Sequence, residues 1–244
     1  MDSRQNSGGS AGASGSAAGE ARGSPAARVI AVEDLAGPAG KLEALLNEGA
    51  AQARCAALVC HPHPSFGGTM HNKVVYRAMK SFHSFGLPVL RFNFRGAGLS
   101  QGAHDGGVGE VEDVRAALDW IERSLRLPVL FAGFSFGSYV GLRACCGEAR
   151  VKAAAALGLP ARAAGRDYDF AFLAACSQPK LFLSGDRDQF SSREALEAAA
   201  RAAAPPSECV LIAGADHFFH GHLERMQAAL EDWIGRRLQA LAET

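Results

Sequence analysis

Three short stretches each set a chemically useful side chain beside glycine. They are "GFSFG" around Ser135, "SGDRDQF" with Asp186 and Asp188, and "GADHFFHGH" with His217, His220 and His222. A Ser hydroxyl becomes a nucleophile when a His takes its proton, and a carboxylate behind the ring orients it and stabilises its cation. Ser, then acid, then His is the chain order in which one G-x-S-x-G arrangement delivers these groups. The five-letter pattern is weak alone, because a chain with 28 Gly produces it by chance. Its alternative is a buried Ser with Gly chosen for close packing. Context favours chemistry. Ser135 directly follows the apolar run "VLFAGF" and directly precedes a helical segment, the setting of a sharp strand-to-helix turn. Gly133 and Gly137 would let backbones pass close to that turn, and the helix would aim its first amides at a developing oxyanion. Asp188 has the G-x-x-D spacing after Gly185 and is favoured over Asp186, the alternative being a helix cap near Ser191. His217 lies nearest its strand end, with Phe218 and Phe219 placed to shield it from water.

An oxyanion hole takes two backbone N–H groups, and the residue after the nucleophile, Phe136, supplies one. The other is sought in "HPHPSFGGTMHNK", which follows the run "CAALVC". Pro62 and Pro64 have no N–H, which leaves His63. His61 and His63, or His217 with His220 and His222, read alternatively as metal ligands, but no carboxylate stands at a strong spacing from them, so no metal or organic cofactor is assigned. Arg95 in "FRGAGLSQG" borders the expected pocket. It either binds an anion or, as favoured, ties its loop to backbone carbonyls.

These groups need a frame that ends strands side by side. After residue 28, short apolar runs alternate with helical periodicity. "RVIAVED" and "KLEALLNEG" read as opening strands around the turn "GPAG", although Leu42, Leu45 and Leu46 would also suit a helix. The clearest helix spans Gly109 to Leu127, with Val111, Val114, Leu118, Ile121 and Leu125 on one stripe and Pro128 beyond it. A helix is expected near Ser138–Gly147, another after an N-cap at Ser191 or Ser192, and a last one from Leu223 to Leu241. Repeated strand–helix alternation predicts an α/β fold with a mostly parallel sheet of about eight strands, helices on both faces, and ligands beyond the strand carboxyl ends.

Composition removes other classes. Lys plus Arg equals Asp plus Glu at 25 each, with no basic stripe, so nucleic acid is not an expected partner. No apolar run approaches the roughly 20 residues of a membrane span. Residues 1–28 are Ser/Gly/Ala-rich and read as a disordered tail before one domain over 29–244. A cytoplasmic location is expected, with the tail as an organelle transit peptide the alternative. None of the six Cys forms a C-x-x-C pair, so buried reduced thiols are expected, against a redox-active or metal-binding Cys145-Cys146 pair.

In order, "HPHP", "GGTMHNKV", "FNFRGAGLSQG", "GFSFGS", "GDRD" and "GADHFF" resemble the α/β-hydrolase superfamily from about Val29 onward. The His-Pro motif is similar to a compact group of predicted serine hydrolases related to dienelactone-hydrolase-like and serine-aminopeptidase-like proteins. The resemblance implies Ser135 as nucleophile, Asp188 as acid, His217 as base, and the Phe136 and His63 amides as oxyanion hole. Many members have His-Gly where this chain has His61-Pro62. The 160–178 stretch accommodates a helix or loop rather than a large lid, so the site is open or shaped by Tyr168, Phe170 and Phe172. The expected reaction is hydrolysis of a small acyl substrate. An ester is first choice, an aminopeptidase second, and a non-catalytic small-molecule binding protein the rival. Oligomeric state is left open.

Overall fold

Apolar runs become strands and the periodic segments between them become helices. The computed structural model describes residues 28–163 and 165–243, so the expected tail lies, apart from Arg28, outside the described residues. The elements are β1 (Val29–Val32), β2 (Ala36–Gly37), β3 (Gly40–Lys41), β4 (Ala44–Asn47), β5 (Ala56–Cys60), α1 (Lys73–Ser84), β6 (Val89–Phe92) and α2 (Gly109–Leu125). They continue with β7 (Val129–Phe134), α3 (Phe136–Cys145), β8 (Val151–Leu157), β9 (Arg162–Ala163), β10 (Arg166–Asp167), β11 (Lys180–Gly185), α4 (Arg193–Ala202), β12 (Ser207–Ile212) and α5 (Leu223–Ala242).

Eight strands form one sheet in the order β1-β4-β6-β5-β7-β8-β11-β12. β4 alone runs against its neighbours, pairing antiparallel with β1 and β6. The central strands are buried on both faces, and their side chains alternate between two cores. In β7, Val129 and Phe131 join the core under α2 and α3, while Leu130, Ala132 and Phe134 join the one under α1 and α5.

The apolar stripe of α2 lies against the sheet, with Val111, Val114, Leu118 and Ile121 buried. This helix ends at Leu125, two residues early, because Arg126 takes a left-handed conformation (φ 54°) ahead of Pro128. The start of α3 is Phe136, two residues before the expected Ser138, because Ser135 itself is the turn. α4 is capped by Ser192, whose hydroxyl accepts from the Ala195 amide. The segment with both strand and helix character becomes β4, where Leu46 is buried, with Leu42 buried just ahead of it. The 160–178 stretch holds the β9–β10 hairpin and a 3-10 turn over Ala171–Ala175, which is more structure than a helix or loop.

The thiol expectation is corrected. Cys146 and Cys176 form a disulfide that ties the end of α3 to the segment after the 3-10 turn, 30 residues away. Two of the thiols expected to be reduced are therefore bonded to each other, while Cys145, beside Cys146, stays free because neighbouring residues on a helix end point in different directions. Cys55, Cys60 and Cys145 are buried free thiols, and Cys209 is an exposed one. Among the described residues no helix is long and apolar enough to cross a membrane.

Candidate active site

Ser135 sits between the end of β7 and the first turn of α3 with φ 54° and ψ −122°, a conformation that strains an L residue. Its glycine neighbours make that turn sterically feasible. A Cβ on Gly133 would run into the Gly137 carbonyl, and one on Gly137 would run into the His61 carbonyl. The turn is pinned by Ser135 N donating to Leu157 O (2.8 Å) and Ser138 Oγ donating to Ser135 O (2.6 Å).

The structure brings Ser135, Asp188 and His217 together. His217 Nε2 lies 2.8 Å from Ser135 Oγ, and its Nδ1 lies 2.8 Å from Asp188 Oδ2. With Nδ1–H donating to the carboxylate, Nε2 is free to accept the hydroxyl proton. Asp188 is held in turn by Ser184 Oγ (2.7 Å) and the Phe190 amide (2.8 Å). The His217 ring is enclosed by Phe134, Phe190 and Phe218, with centroids 4.6 to 5.1 Å away. Asp186 has another partner, the Gly214 amide (2.7 Å), and so links the loops after β11 and β12. His220 pairs with Asp216 at the surface, and His222 precedes α5.

The Phe136 and His63 amides donate to nothing among the described residues, and both residues line a cavity of about 220 Å³ that includes Ser135 and His217. Their side chains pack on each other (4.8 Å) and on His104, whose Nδ1 lies 2.6 Å from the fully buried Glu110. Burial holds the His63 imidazole below its ordinary pKa. Tyr168 and Phe218 also line the cavity, with Phe218 39% exposed at its mouth. Phe66, Asn72 and Phe190 also form part of the wall and were not singled out in the sequence. Asn72 lay inside the quoted "GGTMHNKV", but nothing in a linear motif tells a wall residue from a capping one.

Four expected residues are not in this wall: Phe170 and Phe172 pack on Tyr139 instead (6.1 Å each), and Arg95 and His61 lie elsewhere. Arg95 is 8% exposed and its guanidinium is taken up by Asp113 of α2, with Nη2–Oδ1 at 2.7 Å and Nε–Oδ2 at 3.0 Å. It therefore neither binds an anion nor ties its loop to carbonyls; it locks the loop after β6 to the next helix through a carboxylate. His61 is fully buried: Nδ1–H donates to Pro62 O (2.6 Å) and Nε2 accepts from the Phe94 amide (2.9 Å).

Burial pushes the His61 pKa from 6.5 down to about 4, so the folded protein holds it neutral. The unfolded chain binds the proton first as pH falls, so this contribution to stability is complete above about 6.5 and is lost progressively toward 4. Urea denaturation should show roughly 3 kcal/mol less stability at pH 4 than at pH 7 from this group. The difference should shrink in His61→Gln, and an unchanged pH slope would count against the assignment.

Residues 55–243 match a family model described as an alpha/beta hydrolase domain. An uncharacterized protein of Rickettsia prowazekii, RP471, is 37% identical over 205 residues, 81% of this chain and 86% of that protein. An alpha-beta serine hydrolase homologue from Coxiella burnetii superposes with a TM-score of 0.75 at 36% identity, over 84% of this chain and 96% of its own. A serine hydrolase without lid from Xanthomonas campestris gives 0.74 at 31% identity, over 86% and 94%.

Proposed function

This chain belongs to the alpha/beta hydrolase family, and on that premise we propose that it is a serine hydrolase of small acyl substrates, with carboxylic esters as its first class. The observation that carries the reading is the unbroken chain from Asp188 through His217 to Ser135, two contacts of 2.8 Å each. His217 Nε2 takes the Ser135 proton as Oγ attacks the ester carbonyl, and Asp188 stabilises the imidazolium through Nδ1–H. The Phe136 and His63 amides receive the oxyanion. Collapse breaks the ester C–O bond, and the leaving alkoxide takes the proton from His217. Water, deprotonated by the same ring, then attacks the acyl-enzyme, and Ser135 leaves with the proton restored.

An aminopeptidase reading fits less well, because no carboxylate among the described wall residues could hold a substrate ammonium. A fluorophosphonate probe, with peptide mapping, tests the nucleophile, and label absent from Ser135 would overturn the proposal. Labelling of Ser135 without turnover of an ester, thioester and aminoacyl-amide panel would support the binding-protein rival.

Gly158 offers a separate check on His217. It has φ +55°, and a Cβ there would stand 3.2 Å from His217 Cε1 and Nδ1 and 3.1 Å from Phe134. Gly158→Ala should displace the ring and slow labelling at Ser135 by roughly ten-fold, with about 1 kcal/mol of added backbone strain. Wild-type labelling kinetics in that variant would mean the ring is not held against Gly158.

A further inference from the structure

The cavity wall has an unusual polar make-up for its size. Among the described residues that line it there is no Asp, Glu, Lys or Arg. Besides Ser135 and His217, its polar side chains include two whose acceptors are already occupied. Asn72 caps α1: its Oδ1 accepts the Val74 amide at 2.9 Å. That bond fixes the amide orientation, so the Nδ2 group is what remains, and nothing in the described chain accepts from it. His63 Nδ1 accepts the Ser65 amide at 3.2 Å, which puts the ring proton on Nε2, again without an acceptor among the described residues. The same local caps that shape the two turns convert an amphoteric amide and an imidazole into N–H donors. The rest of the wall is largely aromatic: Phe66, Phe136, Tyr168, Phe190 and Phe218.

Resting on the serine-hydrolase reading, we infer that the acyl group taken here is small, uncharged and carries an ether, ketone or hydroxyl oxygen that accepts from Asn72 Nδ2. Size follows from the cavity, about 220 Å³, below the roughly 300–1,000 Å³ of sites for drug-sized ligands. A plain alkyl chain would strip water from the Asn72 donor and return no bond, which is unfavourable. A carboxylate would lose its hydration against aromatic rings with no cation in the wall itself, since Arg95 is committed to Asp113 and Arg166, outside the wall, lies over the Tyr168 ring (5.1 Å) and donates to Gly106 O. Burial and the neighbouring His104 lower the pKa of the His63 imidazole, which disfavours a cation there as well.

The test uses p-nitrophenyl esters in matched pairs that exchange one CH₂ for O or C=O, with each rate divided by its hydroxide-catalysed rate. Methoxyacetate is compared with butyrate and levulinate with pentanoate, and the hemisuccinate provides an anionic arm. Wild type should favour the oxygenated member of at least one pair by about five- to ten-fold in kcat/KM, the worth of one added hydrogen bond. In Asn72→Asp the cap is kept and the donor removed, so that ratio should fall to about one while the thermal midpoint holds. Asn72→Gly, a tolerated N-cap residue without a side-chain donor, gives a second reading if the Asp variant misfolds. No preference in wild type, a preference that survives both variants, or hemisuccinate as the best substrate each overturns the inference. Absence of fluorophosphonate label at wild-type Ser135 is the different result that removes the serine-hydrolase reading beneath it.

Discussion

Ser135→Ala should lower ester turnover by roughly 10⁴- to 10⁶-fold and leave the fold intact. The side chain contributes its Oγ to His217, whereas the turn is held by backbone and by Ser138, so removing the hydroxyl disturbs no structural bond. His217→Ala should cost about as much, and the double variant hardly more, because in the proposed mechanism nucleophile and base act as one unit. Asp188→Asn should be milder but still severe, since an amide no longer stabilises the imidazolium and reverses the preferred ring tautomer. Steady-state hydrolysis of a p-nitrophenyl ester, with circular dichroism as a fold control, measures all four. Additive losses would mean that Ser135 and His217 do not act as a unit, and turnover of Ser135→Ala within ten-fold of wild type would remove Ser135 from the mechanism.

The largest loss of stability is expected at Asp113→Ala. Asp113 is fully buried, and it accepts from the Arg95 amide (3.0 Å) as well as from the guanidinium. Removing it strands a nearly buried cation and a backbone donor, at a cost of about 3–5 kcal/mol. For a chain of this size that is a fall of about 10 °C in Tm. Arg95→Met combined with Asp113→Leu removes the cation with its partner and should recover most of the loss, because a buried pair breaks even with well-packed apolar groups. Differential scanning calorimetry distinguishes the cases. A single variant within about 1 kcal/mol of wild type would mean that the pair is hydrated rather than buried.

Much of the frame was legible because it depends on local pattern. An apolar run such as "VLFAGF" can satisfy its backbone and bury both faces only as a central strand, and the stripe of α2 can bury itself only against a sheet. The positions of Ser135, Asp188 and His217 at strand ends follow from that alternation. The failures have one cause. Arg95, His61 and Asn72 are polar residues in turn-rich loops, and their partners lie elsewhere in the fold or in a cap whose direction no motif states. Arg95 finds Asp113 across 18 residues, and Cys146 finds Cys176 across 30. Without those partners, Arg95 reads as tied to the carbonyls of its own loop and Cys146 and Cys176 read as reduced thiols.

By itself, the sequence determined the alternation of strands and helices, the chain order Ser135–Asp188–His217, and the glycines that permit a sharp turn at Ser135, because each depends on short-range sterics and periodic burial. Tertiary structure alone decided which polar groups are used up and which face the cavity. It neutralised Arg95 against Asp113, sealed His61 in the interior, and left Asn72 Nδ2 and the Phe136 and His63 amides at the cavity without partners among the described residues. Hydrogen-bond satisfaction is a property of neighbours in space, and a buried polar group shows its role only once every partner around it is known.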